Sequence, residues 1–313
     1  MVALLLAGVA ALLASRGSHG GPSVQQTLNQ ALAPGAGLRS GRLDLSLSES
    51  SRGASALPVT RSLRVQGPFA SGAPGRLPSF ALTVEARDRH DLRIAVTSTG
   101  RRLFVALGGK PFVAPASTLR ELGRRYAQAS AGAASAAGSA SGAPGSMRID
   151  PRRWVLAPRA EGGASVDGSS AVHIGGRLDL VRFLIDADRV APGGGALGLG
   201  SSGVGASALT SVRQAALARS LTSSHVDVYA GRDDHLLRAL RATAVLNVPL
   251  DARPLLGGLS AARMTFELAF SDVNRAQVIL APAHPRPAGA LLTALRAPGS
   301  GVPAAPGGTL GGR

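Results

Sequence analysis

Apolar and polar residues alternate along several segments of the chain. Leucine occupies every second position of the segment 43–48, and the residues between are Asp44, Ser46 and Ser48. The same period of two recurs over residues 63–65, 80–84, 92–96, 103–107, 226–228 and 264–270. Successive side chains of a strand point to opposite faces, so these segments are predicted to be half-buried strands. The short polar turns between the early ones predict an antiparallel meander.

In the middle of the chain the apolar spacing changes to three or four residues, which indicates helices. Polar residues that can cap a helix start precede three of these segments, at Ser23, Thr118 and Asp179. The apolar faces of the four predicted helices are Val24, Leu28 and Leu32; Leu119, Leu122 and Tyr126; Leu180, Phe183, Leu184 and Ala187; and Leu209, Val212, Ala216, Leu217 and Leu221. Strands return after residue 225. This order predicts one α+β domain, a strongly curved antiparallel half-barrel whose concave face is covered by the helices.

The start of the chain is an unbroken apolar run over residues 2–14. A membrane span needs about 20 residues, whereas the apolar region of a signal peptide has roughly 7–15. Residues 1–18 are therefore predicted to be a signal peptide or an N-terminal membrane anchor, with a buried core helix as the alternative. The protein is expected to be exported, and to be secreted or tethered in the cell envelope.

Two stretches of Ala, Gly and Ser interrupt the predicted domain, which spans residues 23–285. Segments of this composition bury little apolar surface, so 129–146 and 191–205 are predicted to be flexible insertions. Proline and glycine dominate the end of the chain, and residues 286–313 are predicted to form a disordered tail.

The chain of 313 residues carries a net charge of +16, and Lys110 is its only lysine. A basic balance favours anionic partners. Nucleic acid is not expected, because the arginines are scattered and aromatic residues make up only 3% of the chain. The absence of cysteine excludes disulfides, thiolate metal sites and a lipidated cysteine anchor.

No motif in the sequence predicts catalytic, cofactor-binding or metal-binding residues. The GxGxxG match at 198–203 lies inside a longer glycine-rich run, and Gly108-Gly109-Lys110 is followed by proline. His235 follows Asp233 and Asp234, which a solvated hairpin turn explains better than a catalytic or metal cluster. There is no GxSxG elbow. The protein is predicted not to be an enzyme.

Several short motifs in order resemble the periplasmic lipoprotein-carrier superfamily, the LolA-like fold, and within it the actinobacterial LppX/LprG-type lipid-binding lipoproteins. The motifs are LDLSLS at 43–48, TSTG at 97–100, FVALGGK at 104–110, VDG at 166–168, HIGGRLD at 173–179, VYAGRDDHLLR at 228–238 and FELAFSDVN at 266–274. The resemblance implies a half-barrel with helices on its concave side and an apolar cavity for acyl chains. It carries over no residue with a defined chemical role.

The expected function is a non-enzymatic envelope protein that binds or shuttles a lipid or acylated molecule. Its expected partners are that ligand, a membrane surface and another envelope protein. The predicted cavity residues come from the clearest strands: Leu82, Val84, Ile94, Val96, Val105, Met264, Phe266, Leu268 and Phe270. Two alternatives stay open. One is a structural or interaction module on the same fold with a filled core, and the other is an extracytoplasmic hydrolase.

Overall fold

Eleven strands form one antiparallel sheet in the part of the chain that the computed structural model describes. The described residues are 23–32, 37–53, 59–72, 77–87, 91–136, 151–190 and 210–290. The predicted signal segment 1–18 and the predicted insertion 191–205 lie outside them. Within the described ranges, no helix is both long enough and apolar enough to span a membrane.

Seven of the eleven strands contain the alternating segments that the sequence predicts, and the bounds of all eleven strands follow. They are β1 (Ser40–Arg52), β2 (Val59–Ala70), β3 (Ser79–Arg87), β4 (Asp91–Thr99), β5 (Leu103–Leu107), β6 (Lys110–Val113), β7 (Val155–Val166), β8 (Ser169–Leu178), β9 (Leu221–Gly231), β10 (Leu237–Asn247) and β11 (Ala261–Ser271). Their order across the sheet is β6-β5-β4-β3-β2-β1-β11-β10-β9-β8-β7. The early and late strand groups therefore join where β1 pairs with β11. The predicted α+β half-barrel is confirmed.

A glycine and a proline interrupt the pairing of β2 with β3. Gly67 has φ +147°, and a side chain there would collide with the carbonyl oxygen of Ala81. Pro68 has no N–H to donate to a neighbouring strand. Pairing between the two strands is recorded on both sides of these two residues, up to Gln66 and again from Phe69. Such interruptions bend a sheet locally, and this one contributes to its curvature.

Four helices accompany the sheet in the described residues: α1 (Val24–Ala31), α2 (Ala116–Ala136), α3 (Leu180–Val190) and α4 (Ser211–Ser220). Ser23 forms a capping box with Gln26 at the start of α1. Asp179 caps α3, because its Oδ1 accepts a hydrogen bond of 3.0 Å from the backbone N–H of Arg182. Thr210 caps α4. Short 3₁₀ turns at Pro151–Trp154 and Pro254–Leu256 complete the structure.

Two predictions about the helices differ from the structure: the end of α2, and the core-facing position of Val212 on α4. Helix α2 runs to Ala136, so the predicted insertion 129–146 begins inside a helix, and its part after residue 136 lies outside the described residues. Alanine has the highest helix propensity, so a segment of this composition can extend a helix. On α4, Val212 is 58% exposed and does not face the core as predicted.

Strand β7 is absent from the sequence prediction. Its residues show no alternation because it is an edge strand whose side chains are mostly exposed. The predicted disordered tail also starts too early. Arg286 forms a parallel bridge with Phe112 of the opposite edge strand β6, and residues 288–290 are helical.

Candidate functional site

The inner face of the sheet is an apolar surface that crosses nearly all of its strands. Residues directly opposite each other on neighbouring strands share a face. One such row contains only apolar residues from β5 to β7: Leu107, Ile94, Val84, Val65, Leu45, Leu268, Leu240, Val228, Ile174 and Ala160. This row is the central band of the candidate site.

The structure brings all nine predicted cavity residues to this inner face, in two groups. One group lies on β3, β4 and β5, and the other lies on β11; β2 and β1 separate them. Six of the nine are buried: Leu82, Val84, Val96, Met264, Leu268 and Phe270. Ile94, Val105 and Phe266 are only half-buried. Solvent therefore reaches the inner face at these three positions.

Three aromatic rings meet above the β11 group. The ring of Phe266 lies 5.4 Å from that of Phe183 on α3 and 6.4 Å from that of Trp154, measured between centroids. Trp154 and Phe183 are 5.1 Å apart. All three pairs are edge-to-face, which is a favoured arrangement for aromatic side chains. We call Trp154, Phe183 and Phe266 the aromatic cluster.

A buried carboxylate holds the aromatic cluster in place. The indole Nε1 of Trp154 donates a hydrogen bond of 2.9 Å to Oδ2 of Asp186 on α3. The backbone N–H of Asp179 donates to the carbonyl oxygen of Trp154 at 2.8 Å. The sequence analysis missed this arrangement, since the three rings come from distant segments and no spacing connects them.

One end of the inner face is polar. Glu49 continues the inward series of Leu43, Leu45 and Leu47 along β1, and it is only 7% exposed. Its direct neighbours across the sheet are Arg61 on β2 and Met264 on β11. The strand pattern contained the signal for this residue, because Glu49 occupies an inward position of a period-two run.

The outer face has the opposite chemistry. A row one residue away from the apolar band reads Arg93, Glu85, Arg64, Ser46, Glu267, Arg241, Asp227, Gly175 and Arg159 from β4 to β7. Its charged neighbours alternate in sign. A hydrogen bond and the charge of Asp44 raise the pKa of Arg64 above its ordinary value.

The acidic turn beside His235 is a hairpin turn between β9 and β10, as predicted. Oδ1 of Asp234 accepts the backbone N–H of Leu236 at 3.1 Å, and its Oδ2 pairs with Arg238 at 2.6 Å. A second polar group lies on the outer face, where His173 and His225 both contact Oδ1 of Asp227. No group of three or more His, Asp or Glu in the described residues could hold a metal ion.

No protein-family model matches the chain, and no curated protein matches it. Among solved structures it is similar to LprF from Mycobacterium bovis, with 14% identity and a TM-score of 0.42 over 84% of this chain and 100% of that one. It is also similar to lipoprotein LppX from Mycobacterium tuberculosis, with 14% identity and a TM-score of 0.38 over 83% and 100%. A LolA superfamily protein from Nitrosomonas europaea matches with 9% identity and a TM-score of 0.20 over 82% and 96%. LppX and the LolA superfamily are named in the resemblance that the sequence motifs carry, whereas LprF is not, and the likeness to all three concerns the fold.

Proposed function

We propose that this protein is a non-enzymatic cell-envelope protein that binds an acyl chain against the inner face of its sheet. The observation that carries the proposal is the partial exposure of Phe266. This residue lies on a central strand, and its cross-strand neighbours Leu47 and Ala242 are buried. We take the partial exposure of a central aromatic residue as support for an open space beside it.

The chemistry of that space favours a hydrocarbon ligand. The inner row offers aliphatic side chains on strand after strand, and the aromatic cluster closes it on the side of α3. Burial of each methylene group contributes about 0.8 kcal/mol, so binding strength would come from chain length. The polar end at Glu49 and Arg61 would lie beside the headgroup of the bound molecule.

The single tryptophan gives a direct test, because Trp154 belongs to the aromatic cluster. The full-length protein is titrated with fatty acids that carry bromine atoms on the acyl chain. Bromine quenches tryptophan fluorescence on contact, so saturable quenching of Trp154 is the expected result. Native mass spectrometry of protein purified from a bacterial host should also show bound lipid.

The alternative is a structural or interaction module with a filled inner face. It predicts no quenching by any brominated chain and no co-purifying lipid. Asp186→Asn serves as a control, because it changes the hydrogen-bond acceptor of the Trp154 indole N–H while leaving the aliphatic row intact. Quenching that is unchanged in the variant Phe266→Arg, which fills the open space with a charge, would place the bound chain elsewhere and contradict the proposal.

A further inference from the structure

After β11 the chain continues as residues 275–286, which we call the strap. Its first end is fixed beside β1. The backbone N–H of Asn274 donates to the carbonyl of Ser40 at 2.8 Å, and its side chain bonds to Gly37 and Arg39. The other end is fixed at the sheet edge, where Arg286 exchanges two backbone hydrogen bonds of 2.9 Å with Pro111 and Val113 of β6.

Between these ends the strap forms neither helix nor strand. Strands β2 to β5 lie between β1 and β6 in the sheet order, so the strap passes four strands without joining them. Exposure alternates from one residue to the next in the middle of the strap. Gln277 and Ile279 are half-buried, whereas Val278 is 81% exposed and Leu280 is 76% exposed.

Two large aliphatic side chains thus project into solvent from one side of a segment that is held at both ends. The other exposed large aliphatic residues of the described part lie elsewhere: Leu156 on β7, Val212 on α4 and Leu250 in the turn after β10. Arginines flank the aliphatic pair: the Arg275 side chain is 80% exposed and forms a surface ion pair of 3.6 Å with Asp272, and the exposed Arg286 lies over the ring of Phe112. Residues 276–286 contain no acidic residue, and the whole chain carries a net charge of +16.

We propose that the strap is the surface by which this protein docks reversibly on an anionic phospholipid bilayer. Val278 and Leu280 would enter the interface between headgroups and acyl chains, while Arg275 and Arg286 contact lipid phosphates. Two aliphatic side chains with two basic residues give weak, reversible attachment. The inference extends the proposed function, but it is tested without any ligand on the inner face, so either can fail alone.

The chain has no cysteine, so a single engineered cysteine carries an environment-sensitive dye at one chosen position. Full-length Val278→Cys and Val212→Cys proteins are labelled and mixed with phosphatidylglycerol vesicles. We expect the dye at position 278 to brighten and the dye at position 212 to stay unchanged. The local readout matters, because the apolar run at residues 2–14 could bind vesicles without the strap. No brightening at 278, or equal brightening at 212, would overturn the proposal.

A matched pair of substitutions tests the role of the second aliphatic residue. Leu280 and Leu250 are both 76% exposed. In the Val278→Cys background, Leu280→Ser should reduce the apparent vesicle affinity about tenfold, as expected from losing one buried leucine. Leu250→Ser should leave it unchanged. Equal effects of the two substitutions would contradict the assignment.

Two further conditions distinguish a lipid bilayer from a second copy of the chain as the partner that the strap binds. Vesicles of phosphatidylcholine alone, or high salt with anionic vesicles, should weaken the response, because part of the attraction is electrostatic. The dye at 278 should not change when protein is concentrated without vesicles. A concentration-dependent change there would identify a second copy of the chain as the occupant and overturn the membrane assignment.

Discussion

Two neighbouring rows of the same sheet, one on each face, have opposite chemistry. The inner row from Leu107 to Ala160 is apolar on every strand, whereas the charged residues of the outer row from Arg93 to Arg159 alternate in sign and only Ser46 and Gly175 in that row are uncharged. The rows are offset by a single residue, so a register slip of one position would exchange them. The comparison shows that both faces of the sheet favour the same strand register. Apolar burial favours it from the inside, and opposite-charge pairs favour it from the outside.

The largest expected effect comes from placing a charge in the inner row. Leu268→Arg should lower the free energy of unfolding by about 3–5 kcal/mol or prevent folding, because a buried unpaired charge is among the most destabilising changes. Ala269→Arg places the same side chain one residue away, on the outer face opposite Asp44, and should cost less than about 0.5 kcal/mol. Denaturant unfolding of both variants measures the difference. Equal losses would mean that the two faces are not distinct.

A matched pair of phenylalanines tests whether the inner face is filled throughout. Phe270 is 2% exposed and packs edge-to-face on Phe69, so Phe270→Ala should cost about 3–5 kcal/mol in unfolding free energy. Phe266 lies four residues earlier on the same face and is half-buried. Phe266→Ala should therefore lower the free energy of unfolding clearly less than Phe270→Ala does. It should weaken acyl-chain binding more than Phe270→Ala does. Thermal and denaturant unfolding give the first comparison and Trp154 quenching gives the second.

The reverse order of these two stabilities would show that Phe266 belongs to a solid core. The structural-module alternative would then be favoured over the carrier, provided that acyl chains also fail to raise the melting temperature of the wild-type protein.

A smaller effect is expected where a polar contact supports the inner face. Asp186→Ala removes the acceptor of the Trp154 indole N–H. A buried donor left without a partner costs about 1–3 kcal/mol, and the emission spectrum of Trp154 should change with it. Arg182→Ala, on the exposed side of the same helix, is the control and should change neither quantity. An unaltered Trp154 spectrum in Asp186→Ala would show that the carboxylate does not position the ring.

The smallest effect is expected on the outer face. Arg64 and Asp44 form an exposed ion pair of 2.6 Å. A double-mutant cycle with Arg64→Ala and Asp44→Ala should give a coupling energy of at most about 1 kcal/mol, which decreases with added salt. Val65→Ala, at the adjacent inner position, should lower the free energy of unfolding more than Arg64→Ala or Asp44→Ala does. A salt-independent coupling would contradict the description of this pair as solvent-exposed.

The success of the sequence prediction depended on how much of an element is buried. Strands β1, β3, β4 and β11 have one face in the core, and their alternation appears directly in the sequence. Strand β7 lies at an edge with most side chains exposed, so no alternation marks it. Helix α2 was predicted too short because its last turns, up to Ala136, consist of small residues whose helical state leaves no apolar face to detect.

The candidate site also has a part that the sequence predicted and a part that it did not. The period of two placed all nine predicted cavity residues, including Leu82, Val105 and Phe266, on one face. It could not show that Trp154 and Phe183 meet Phe266, because these contacts join segments more than eighty residues apart. The period of two also put Glu49 on the inner face, but the prediction did not include it, and its burial depends on the flanking strands β2 and β11.

By itself, the sequence determined which side chains share a face, since that depends only on the geometry of the extended chain. The tertiary structure alone decided the pairing of β1 with β11, which joins two strand groups far apart in the sequence. It likewise decided which inner residues remain accessible to solvent, and that the strap holds Val278 and Leu280 outward. These features depend on contacts between distant segments, and local residue patterns carry no information about such contacts.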